Sequence, residues 1–266
     1  MQFKDKVAVV VGASSEQGVG WAVAEALAAQ GAKVVVGARR TEPLEKLSAL
    51  INGAWRKCDL ASEEDVAGLA RLAISKYGQL DIAVNTAGLP LGGSIADADP
   101  ALLRTEVDVN FLGNVWFVRH MAASMADGGS IVIFSSMAST HPMLPFFGYA
   151  ATKAAADCMV KYAAIEYGHR GIRVNSIQPG LIRTEMARDL FAVPGMEEVF
   201  LREVPLGRVA EAKDLADAVL WLAGPAYITG CNLQISGGNQ LTRFPRNDEY
   251  VAGTSANLGH SAERHL

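Results

Sequence analysis

The sequence predicts a doubly wound α/β fold, in which a seven-stranded parallel sheet is flanked by helices on both faces. Three observations support this fold class. Short β-branched segments alternate with longer segments of helical character along the chain. Most of the short segments are apolar at consecutive positions, which is typical of strands that are buried on both faces. The segments between them are long enough for the crossover helices that join parallel strands.

Seven segments are predicted strands, and residues typical of helix ends stand between them. Ser62 is a suitable N-cap for the helix after the third strand. Gly31, Gly78 and Gly168 each follow a segment with helical periodicity, where a helix is expected to stop. The predicted strands are residues 6–11, 32–37, 54–59, 81–85, 130–135, 172–177 and 231–236.

Composition excludes several classes of protein. The 266 residues carry a net charge of -4, so the basic excess that nucleic-acid binding needs is missing. No stretch approaches the roughly 20 apolar residues of a membrane span, so we expect neither nucleic acid nor membrane as a partner. The N-terminal segment lacks a convincing signal-peptide cleavage context, which predicts a cytoplasmic protein. Without repeats or linkers, we expect a single domain over 1–240, and a polar C-terminal extension over 241–266.

Three cysteines bear on redox chemistry and metal binding. Cys58, Cys158 and Cys231 are far apart, odd in number, and have no partner at metal-ligand spacing. We therefore expect buried free thiols and no metal site.

A glycine-rich loop, GASSEQGVG, lies between the first strand and the first helix. In open α/β sheets this turn aims backbone N–H groups and a helix N-terminus at a pyrophosphate, as in the Rossmann fold. The glycines do not match the usual GxGxxG pattern, so a tight turn without a ligand stays open as the alternative. The residues expected to contact a dinucleotide here are Gly12, Ser14, Ser15, Gly18, Val19 and Gly20.

The end of the second strand bears on the choice of cofactor. An acidic residue there binds the ribose hydroxyls of NAD, whereas arginine suits the 2′-phosphate of NADP. Ala38 occupies the acidic position and Arg39 and Arg40 follow it, so NADP(H) is favoured and NAD(H) remains possible. The alternative is that the two arginines simply lie in an exposed loop and contact no cofactor. Glu16 is expected to bulge from the glycine loop and to oppose these arginines.

The third, fourth and sixth strands end at the same edge of the sheet. The sequence CDL ends the third strand, NTAG the fourth, and QPGLIRTEM follows the sixth, so polar and small residues collect where a cofactor would lie. Asp59 is a candidate acceptor for the adenine amino group. The further residues expected beside the cofactor are Leu60, Asn85, Ala87, Gly88, Pro179, Gly180 and Thr184.

The sequence YAATK predicts an acid–base pair. Tyr149 and Lys153 share one face of a helix, and a nearby ammonium favours the phenolate and lowers the pKa of the tyrosine. Ser136, at the end of the fifth strand, is placed to hydrogen-bond a substrate carbonyl. The alternative is an exposed helix pair, which is the usual meaning of an isolated YxxxK.

Together these features resemble the short-chain dehydrogenase/reductase family in its classical form, over residues 4–240. The resemblance rests on the glycine loop and on the order and spacing of NTAG, VDVNFLG, FSSM, YAATK, RVNSIQPGLIRT and PLGRVAEAKDLADAVLWLAG. Two departures stand out: five residues rather than three separate the first two glycines, and SGG at 236–238 replaces DGG. Related enoyl reductases place the tyrosine and the lysine further apart, and extended sugar-nucleotide epimerases are longer chains, so neither is the first choice within the family.

The resemblance also implies roles for particular residues. Ser136, Tyr149 and Lys153 would form the catalytic set, with Asn110 as a fourth member that holds a water linking Lys153 to solvent. Tyr149 and Lys153 would also contact the cofactor, Lys153 through the nicotinamide ribose. Backbone groups around Ile182, with Thr184, would hold the carboxamide. The family suggests a homotetramer, or a dimer, built on 99–126, 149–168 and 213–236.

The expected activity is hydride transfer between the nicotinamide and a hydrophobic ketone or secondary alcohol, with NADPH-dependent reduction favoured. The expected pocket walls, 89–94, 137–147 and 185–204, are mostly apolar. Two features stay open. His141 either reaches the substrate pocket or is solvated in its loop. The segment 185–204 forms either a mobile substrate lid or a segment that is apolar because it packs on the domain. An NAD-dependent alcohol dehydrogenase is the alternative, and a dinucleotide sensor or scaffold without catalysis is a more remote one.

Overall fold

The computed structural model of the protein describes residues 1–246 and 248–249. Seven strands form one parallel sheet, and all seven predicted strands are confirmed. They are β1 (Val7–Val11), β2 (Lys33–Ala38), β3 (Ala54–Lys57), β4 (Ile82–Asn85), β5 (Ser130–Phe134), β6 (Arg173–Pro179) and β7 (Asn232–Ile235). Their order in the sheet is β3-β2-β1-β4-β5-β6-β7. The order reverses between β1 and β4, and the crevice at such a reversal is where open α/β sheets bind ligands.

Helices connect the strands and cover both faces of the sheet. They are α1 (Val19–Ala29), α2 (Thr41–Leu50), α3 (Glu63–Tyr77), α4 (Pro100–Glu106), α5 (Gly113–Ser124), α6 (Phe147–Gly168), α7 (Arg188–Phe191), α8 (Met196–Leu201) and α9 (Ala212–Ala223). A π-helical segment, Val107–Leu112, joins α4 to α5. Short 3₁₀ turns lie at Met137–Ser139, Glu185–Ala187 and Asn239–Leu241.

The strands separate two apolar layers because successive side chains point to opposite faces. In β1, Ala8 and Val10 pack with α1, α2 and α9, whereas Val7, Val9 and Val11 pack with α3, α5 and α6. Every residue of β1, β4 and β5 is buried, as their consecutive apolar residues predict. The edge strands β3 and β7 are only partly buried.

Helix ends follow the predicted signals. The Ser62 hydroxyl accepts from the Asp65 N–H at 3.3 Å and so caps α3. Gly78 ends the same helix with φ of 81°, a left-handed conformation that favours glycine. Ser62 follows β3 and fixes the loop at the carboxyl edge beside the crevice, whereas Gly78 precedes β4 at the opposite edge.

The cysteines differ from the expectation in one respect. All three are free, but only Cys58 is buried; Cys158 is exposed and Cys231 half-buried. Cys158 lies on α6 with its side chain exposed. Burial raises the pKa of the Cys58 thiol to about 12. Within the described ranges, no group of three or more His, Cys, Asp or Glu side chains is placed to hold a metal ion.

The first part of the expected C-terminal extension packs on the domain. Phe244 is 8% exposed and lies in an apolar cluster with Met137 and Phe200. The Arg243 guanidinium lies 2.9 Å from the Glu203 carboxylate. The remainder of the extension, residue 247 and 250–266, lies outside the described residues. Across the part of the chain that is described, no helix has the length and apolar character to cross a bilayer.

Candidate functional site

A cleft of about 510 Å³ runs along the carboxyl edge of the sheet, across the reversal between β1 and β4. Most of the predicted cofactor residues line this cleft. They are Gly12, Ser14, Ser15, Gly18, Val19, Gly20, Ala38, Arg39, Arg40, Asp59, Leu60, Ala87, Gly88, Tyr149, Lys153, Pro179, Ile182 and Thr184.

Two predicted cofactor residues lie behind the cleft wall. Asn85 is 1% exposed, and its side chain accepts from the Ala87 N–H at 3.1 Å, so it shapes the turn after β4. Gly180 donates its N–H to the Ile235 carbonyl at 3.2 Å, and a Cβ there would lie 3.0 Å from the Ser236 Cβ. Both residues support the wall from behind.

The glycine loop is packed closely against the turn after β4. Gly12 has φ of 88°, and a Cβ there would lie 2.5 Å from the Thr86 Oγ1. A Cβ on Gly20 would lie 2.5 Å from the Gly12 carbonyl oxygen and 2.6 Å from the Thr86 Oγ1. The Thr86 hydroxyl in turn donates to the Val11 carbonyl at 2.8 Å. Side chains are therefore excluded at both glycines by backbone and by a fixed hydroxyl.

The N-terminus of α1 opens into the cleft. Its capping residue, Gly18, offers no side chain to accept from the first N–H groups, and the first turn has no acidic residue. Free N–H groups and the positive end of the helix dipole attract anions. This end of the cleft therefore fits a pyrophosphate.

One acidic residue differs from its expected place at the adenosine end, and a second one there was not predicted. Glu16 forms an ion pair with Lys46, 2.5 Å away, rather than opposing the arginines. The carboxylate that contacts Arg40 belongs to Glu185, at 3.1 Å. Arg40 follows β2 and Glu185 follows β6, so this ion pair spans the cleft.

Asp59 also lines this end of the cleft, and both its side chain and its backbone N–H form hydrogen bonds with nearby residues. The Asp59 carboxylate accepts from the Ala61 N–H at 3.0 Å. The Asp59 N–H donates to the Asp65 carboxylate at 3.0 Å. These bonds hold the turn after β3, where Asp59 lines the cleft.

At the opposite end of the cleft, the Ser136 side chain lies close enough to the Tyr149 phenol to lower its pKa. Ser136 begins a 3₁₀ turn and accepts from the Ala138 N–H at 3.1 Å. Tyr149 lies in the first turn of α6, half-buried in the cleft wall. The two side chains are thus neighbours although they are thirteen positions apart in the chain.

Lys153 lies one turn further along α6 and is only 2% exposed. Its ammonium donates to the Phe134 carbonyl at 2.7 Å, and lies 5.6 Å from the centre of the Tyr149 ring. Burial lowers the pKa of Lys153 to about 8, and the Asp157 carboxylate partly offsets that shift. A Cβ on Gly88 would lie 2.9 Å from this ammonium, so the lysine borders the cleft directly.

The pKa of Tyr149 differs from the expectation that Lys153 would lower it. Desolvation raises the pKa of Tyr149, the hydrogen bond from Ser136 lowers it, and the Glu106 carboxylate raises it again. The ammonium of Lys153 donates to the Phe134 carbonyl rather than to the phenol oxygen. The phenol form of Tyr149 is therefore favoured at neutral pH.

Glu106 was not predicted from the sequence, and it is 2% exposed. Its carboxylate accepts from the Leu91 N–H at 2.9 Å, and burial raises its pKa. A Cβ on Gly148 would clash with the Glu106 Oε2 in its present position, so the glycine leaves room for this carboxylate. Glu106 precedes Asn110 by one helical turn, which was the available signal that it would face the site.

Three asparagines connect β4 with the π-helical segment and α5. The Asn85 side chain donates to the Asn114 side chain at 2.8 Å, and Asn114 donates to the Asn110 carbonyl at 2.6 Å. The Asn110 side chain accepts from the Leu89 N–H at 2.8 Å and donates to the Leu89 carbonyl at 2.9 Å. It also donates to the Thr152 hydroxyl at 3.3 Å. Asn110 therefore fixes the turn that faces Lys153.

An apolar cluster surrounds the hydroxyl end of the cleft. The segment 185–204 packs into it through α8, so packing accounts for the apolar residues of this segment. The cluster contains Met137, Ala138, Met143, Tyr149, Ala150, Leu181, Leu190, Val193, Met196, Phe200 and Phe244. His141 lies nearby, but its ring is held by the Thr140 hydroxyl at 2.9 Å and by the Gln240 carbonyl at 3.0 Å.

The residues present fit a nicotinamide dinucleotide. Arginines lie at one end, an uncapped helix N-terminus in the middle, and paired hydroxyls beside a buried lysine at the other end. Sequence reasoning missed Thr86, Glu106 and Glu185, because each acts through a residue distant in the chain.

Comparisons with known proteins agree over most of the chain. A family model described as enoyl-(acyl carrier protein) reductase matches residues 12–240. The 7alpha-hydroxysteroid dehydrogenase of Escherichia coli (strain K12) is 32% identical over 249 residues, which cover 90% of this chain and 95% of the relative. The trans-4-hydroxycyclohexanecarboxylate dehydrogenase of Sinomonas cyclohexanicum is 32% identical over 258 residues, 92% of this chain and 96% of the relative.

A solved structure is also similar along its whole length. The structure of a short-chain type dehydrogenase/reductase from Mycobacterium ulcerans has a TM-score of 0.89, with 30% identity and 100% of each chain covered.

Proposed function

Since this chain belongs to the short-chain dehydrogenase/reductase family of NAD(P)(H)-using oxidoreductases, we propose that it reduces hydrophobic ketones to secondary alcohols with NADPH. One observation carries this proposal. The neighbouring Ser136 and Tyr149 side chains lie where the cleft meets the apolar cluster around Met137 and Phe200. A carbonyl oxygen placed there has two hydroxyl partners, and its carbon substituents have an apolar surface.

The chain's own residues handle the proton in this reaction. The bound nicotinamide supplies the hydride that adds to the carbonyl carbon. Tyr149 gives its phenolic proton to the carbonyl oxygen, and its raised pKa keeps that proton available at neutral pH. Ser136 orients the same oxygen by a hydrogen bond. The ammonium of Lys153 stabilises the phenolate that remains.

Two features support NADPH as the reductant. Ala38, at the end of β2, leaves that position without the carboxylate that binds ribose hydroxyls in NAD enzymes. Arg39 and Arg40 line the same end of the cleft, where a 2′-phosphate needs positive charge. The apolar surface near Tyr149 supports a cyclic or aromatic ketone over a polyanionic substrate.

Oxidation of secondary alcohols with NAD is the second candidate. The named relatives are dehydrogenases of a hydroxysteroid and of a hydroxycyclohexanecarboxylate. The contact between Arg40 and Glu185 also leaves less positive charge for a phosphate. The family model's description adds enoyl reduction, so an enoyl thioester belongs among the test substrates.

The test follows absorbance of the reduced nicotinamide with NADPH or NADH, over cyclic ketones, their alcohols, an enoyl thioester and polyanionic carbonyl compounds. Turnover of apolar ketones with NADPH is expected. Preference for a polyanionic substrate, or binding of the cofactor without any turnover, would contradict the proposal; the latter outcome would indicate a sensor.

The Tyr149→Phe variant tests the acid–base role. Loss of the phenolic proton should lower kcat by about 10²–10⁴-fold, with the Kd for NADPH close to that of the wild type. Tyr162→Phe is the matched control, because Tyr162 lies on the same helix but is 65% exposed. Near-normal turnover of Tyr149→Phe would refute the assignment.

A further inference from the structure

The two arginines at the end of β2 have different surroundings. Arg39 is exposed, and no hydrogen bond or ion pair of its side chain occurs among the described residues. Arg40 donates to the Ser14 carbonyl at 2.8 Å and to the Ser14 hydroxyl at 3.3 Å. It also donates to both carboxylate oxygens of Glu185, at 3.1 and 3.3 Å. Arg40 therefore connects the glycine loop to the opposite wall of the cleft.

Glu185 approaches this guanidinium from the loop after β6. It follows Thr184 directly and begins the 3₁₀ turn that leads into α7. Its carboxylate is also hydrogen-bonded to the Ser15 side chain, and the contacts with Arg40 and Ser15 lower its pKa to about 2. Arg188 lies 3.8 Å away on the same turn. Glu185 is thus an ionised group beside the predicted phosphate contacts.

A planar guanidinium binds a carboxylate or a phosphate through the same paired donors. We propose that Glu185 determines cofactor specificity, because its carboxylate competes with the 2′-phosphate of NADP(H) for Arg40. The competition weakens NADP(H) relative to NAD(H), which has no group that needs this guanidinium. This inference rests on the proposed function insofar as Arg40 is the phosphate-binding residue.

The competition predicts in which direction the affinity for NADP(H) changes when Glu185 is replaced. A 2′-phosphate brought to Arg40 must displace Glu185, and it then lies near a carboxylate of like charge. Removal of that carboxylate frees the guanidinium and removes the repulsion. Because the pair is exposed, with 55% and 37% of the two side chains accessible, its loss should hardly change stability.

The test is the ratio of the dissociation constants for NADPH and NADH, measured by calorimetry on the full chain. Glu185→Gln should tighten NADPH by about tenfold and change NADH much less, since one charged hydrogen-bond partner is removed. Glu16→Gln is the matched control, because it removes one negative charge from the glycine loop while leaving Arg40 untouched. The control should leave the ratio unchanged.

A second comparison distinguishes competition from simple charge repulsion. In an Arg40→Gln background, Glu185→Gln should alter the ratio far less, since only the charge repulsion remains once the guanidinium is gone. An unchanged ratio in the single variant, or an effect of the same size without Arg40, would overturn the proposal. The melting temperature of each variant verifies folding. The wild-type ratio tests the proposed NADPH preference separately, so either proposal can fail alone.

Discussion

The charge on Lys153 controls how much the Tyr149 phenolate is stabilised. The ammonium is buried, and its pKa is lowered to about 8, so it starts to lose its proton not far above neutral pH. The pKa of Tyr149 is shifted in the opposite direction, because desolvation raises it. Ketone reduction needs the phenol together with the ammonium, whereas alcohol oxidation needs the phenolate.

The pH dependence of the two directions follows from these shifts. We expect kcat for reduction to fall as the pH rises through about 8, since Lys153 then becomes neutral and no longer stabilises the phenolate; oxidation should rise only at still higher pH, because the pKa of Tyr149 is raised. Stopped-flow measurements in both directions provide the test. A reduction rate that increases above this pH would contradict the assignment.

The contribution of the ammonium is measured by Lys153→Met, which should lower kcat for reduction by about 10²–10⁴-fold. Lys161→Met is the control, because Lys161 lies on the same helix and is exposed. A loss of similar size in both variants would point to damage to the helix instead.

Sequence reasoning at this scale succeeded where residues share one element. Tyr149 and Lys153 are one helical turn apart, so their common face follows from the helical repeat. The charge on Arg40 was visible, but its partner Glu185 is 145 positions away in the chain and depends on the path of the loop after β6. The direction of the Lys153 ammonium depends likewise on the Phe134 carbonyl, which no local pattern indicates.

At the scale of elements, the glycine loop depends on close packing between β1, α1 and the turn after β4. Gly20→Ala would place a Cβ 2.5 Å from the Gly12 carbonyl, which cannot move without shifting the loop. We expect a destabilisation of roughly 1–3 kcal/mol together with weaker binding of both dinucleotides. Denaturant unfolding and calorimetry measure the two effects.

Gly168→Ala is the matched control for this substitution. Gly168 ends α6, and a Cβ there would meet no atom within 4 Å, so alanine should be neutral or slightly stabilising. Equal stability of the two variants would show that the loop tolerates a side chain at Gly20.

The elements themselves could be predicted well, for a physical reason. Strands buried on both faces need apolar residues at every position, and β1, β4 and β5 have that pattern. The role of Asn110 in holding a water stays a prediction. The π-helical turn that directs its side chain to Leu89 has no clear sequence signal, because it depends on the packing of α4 and α5 on α6.

At the scale of the whole molecule, residues after the last strand pack against the apolar cluster beside Tyr149. Phe244 is buried beside Met137 and Phe200, and the Thr242 hydroxyl donates to the Glu203 carbonyl at 2.6 Å. A chain ending at Leu241 should therefore lose roughly 2–3 kcal/mol of stability and much of its oxidoreductase activity.

A chain ending at Glu249 is the control for this truncation, because it retains these contacts. Calorimetric melting and steady-state kinetics compare the two chains. Equal melting temperatures would contradict a structural role for Phe244, and would leave the predicted domain boundary at 240 as the better description.

The homotetramer stays a prediction. Helices α6 and α9 lie within the segments expected to associate, and they expose Tyr162, Ile165 and Trp221 at 65%, 81% and 53%. Apolar side chains this exposed favour burial against another chain, which supports association through these faces. Sedimentation or light scattering of the full chain measures the state directly.

The three linked asparagines have a consequence for the speed of the reaction. Asn85, Asn114 and Asn110 hold the turn at Leu89 in place through buried hydrogen bonds whose partners all belong to the chain. The conformational entropy of that turn is therefore lost once, when the protein folds, rather than in every catalytic cycle. Replacement of one of these amides should show itself as a more unfavourable activation entropy.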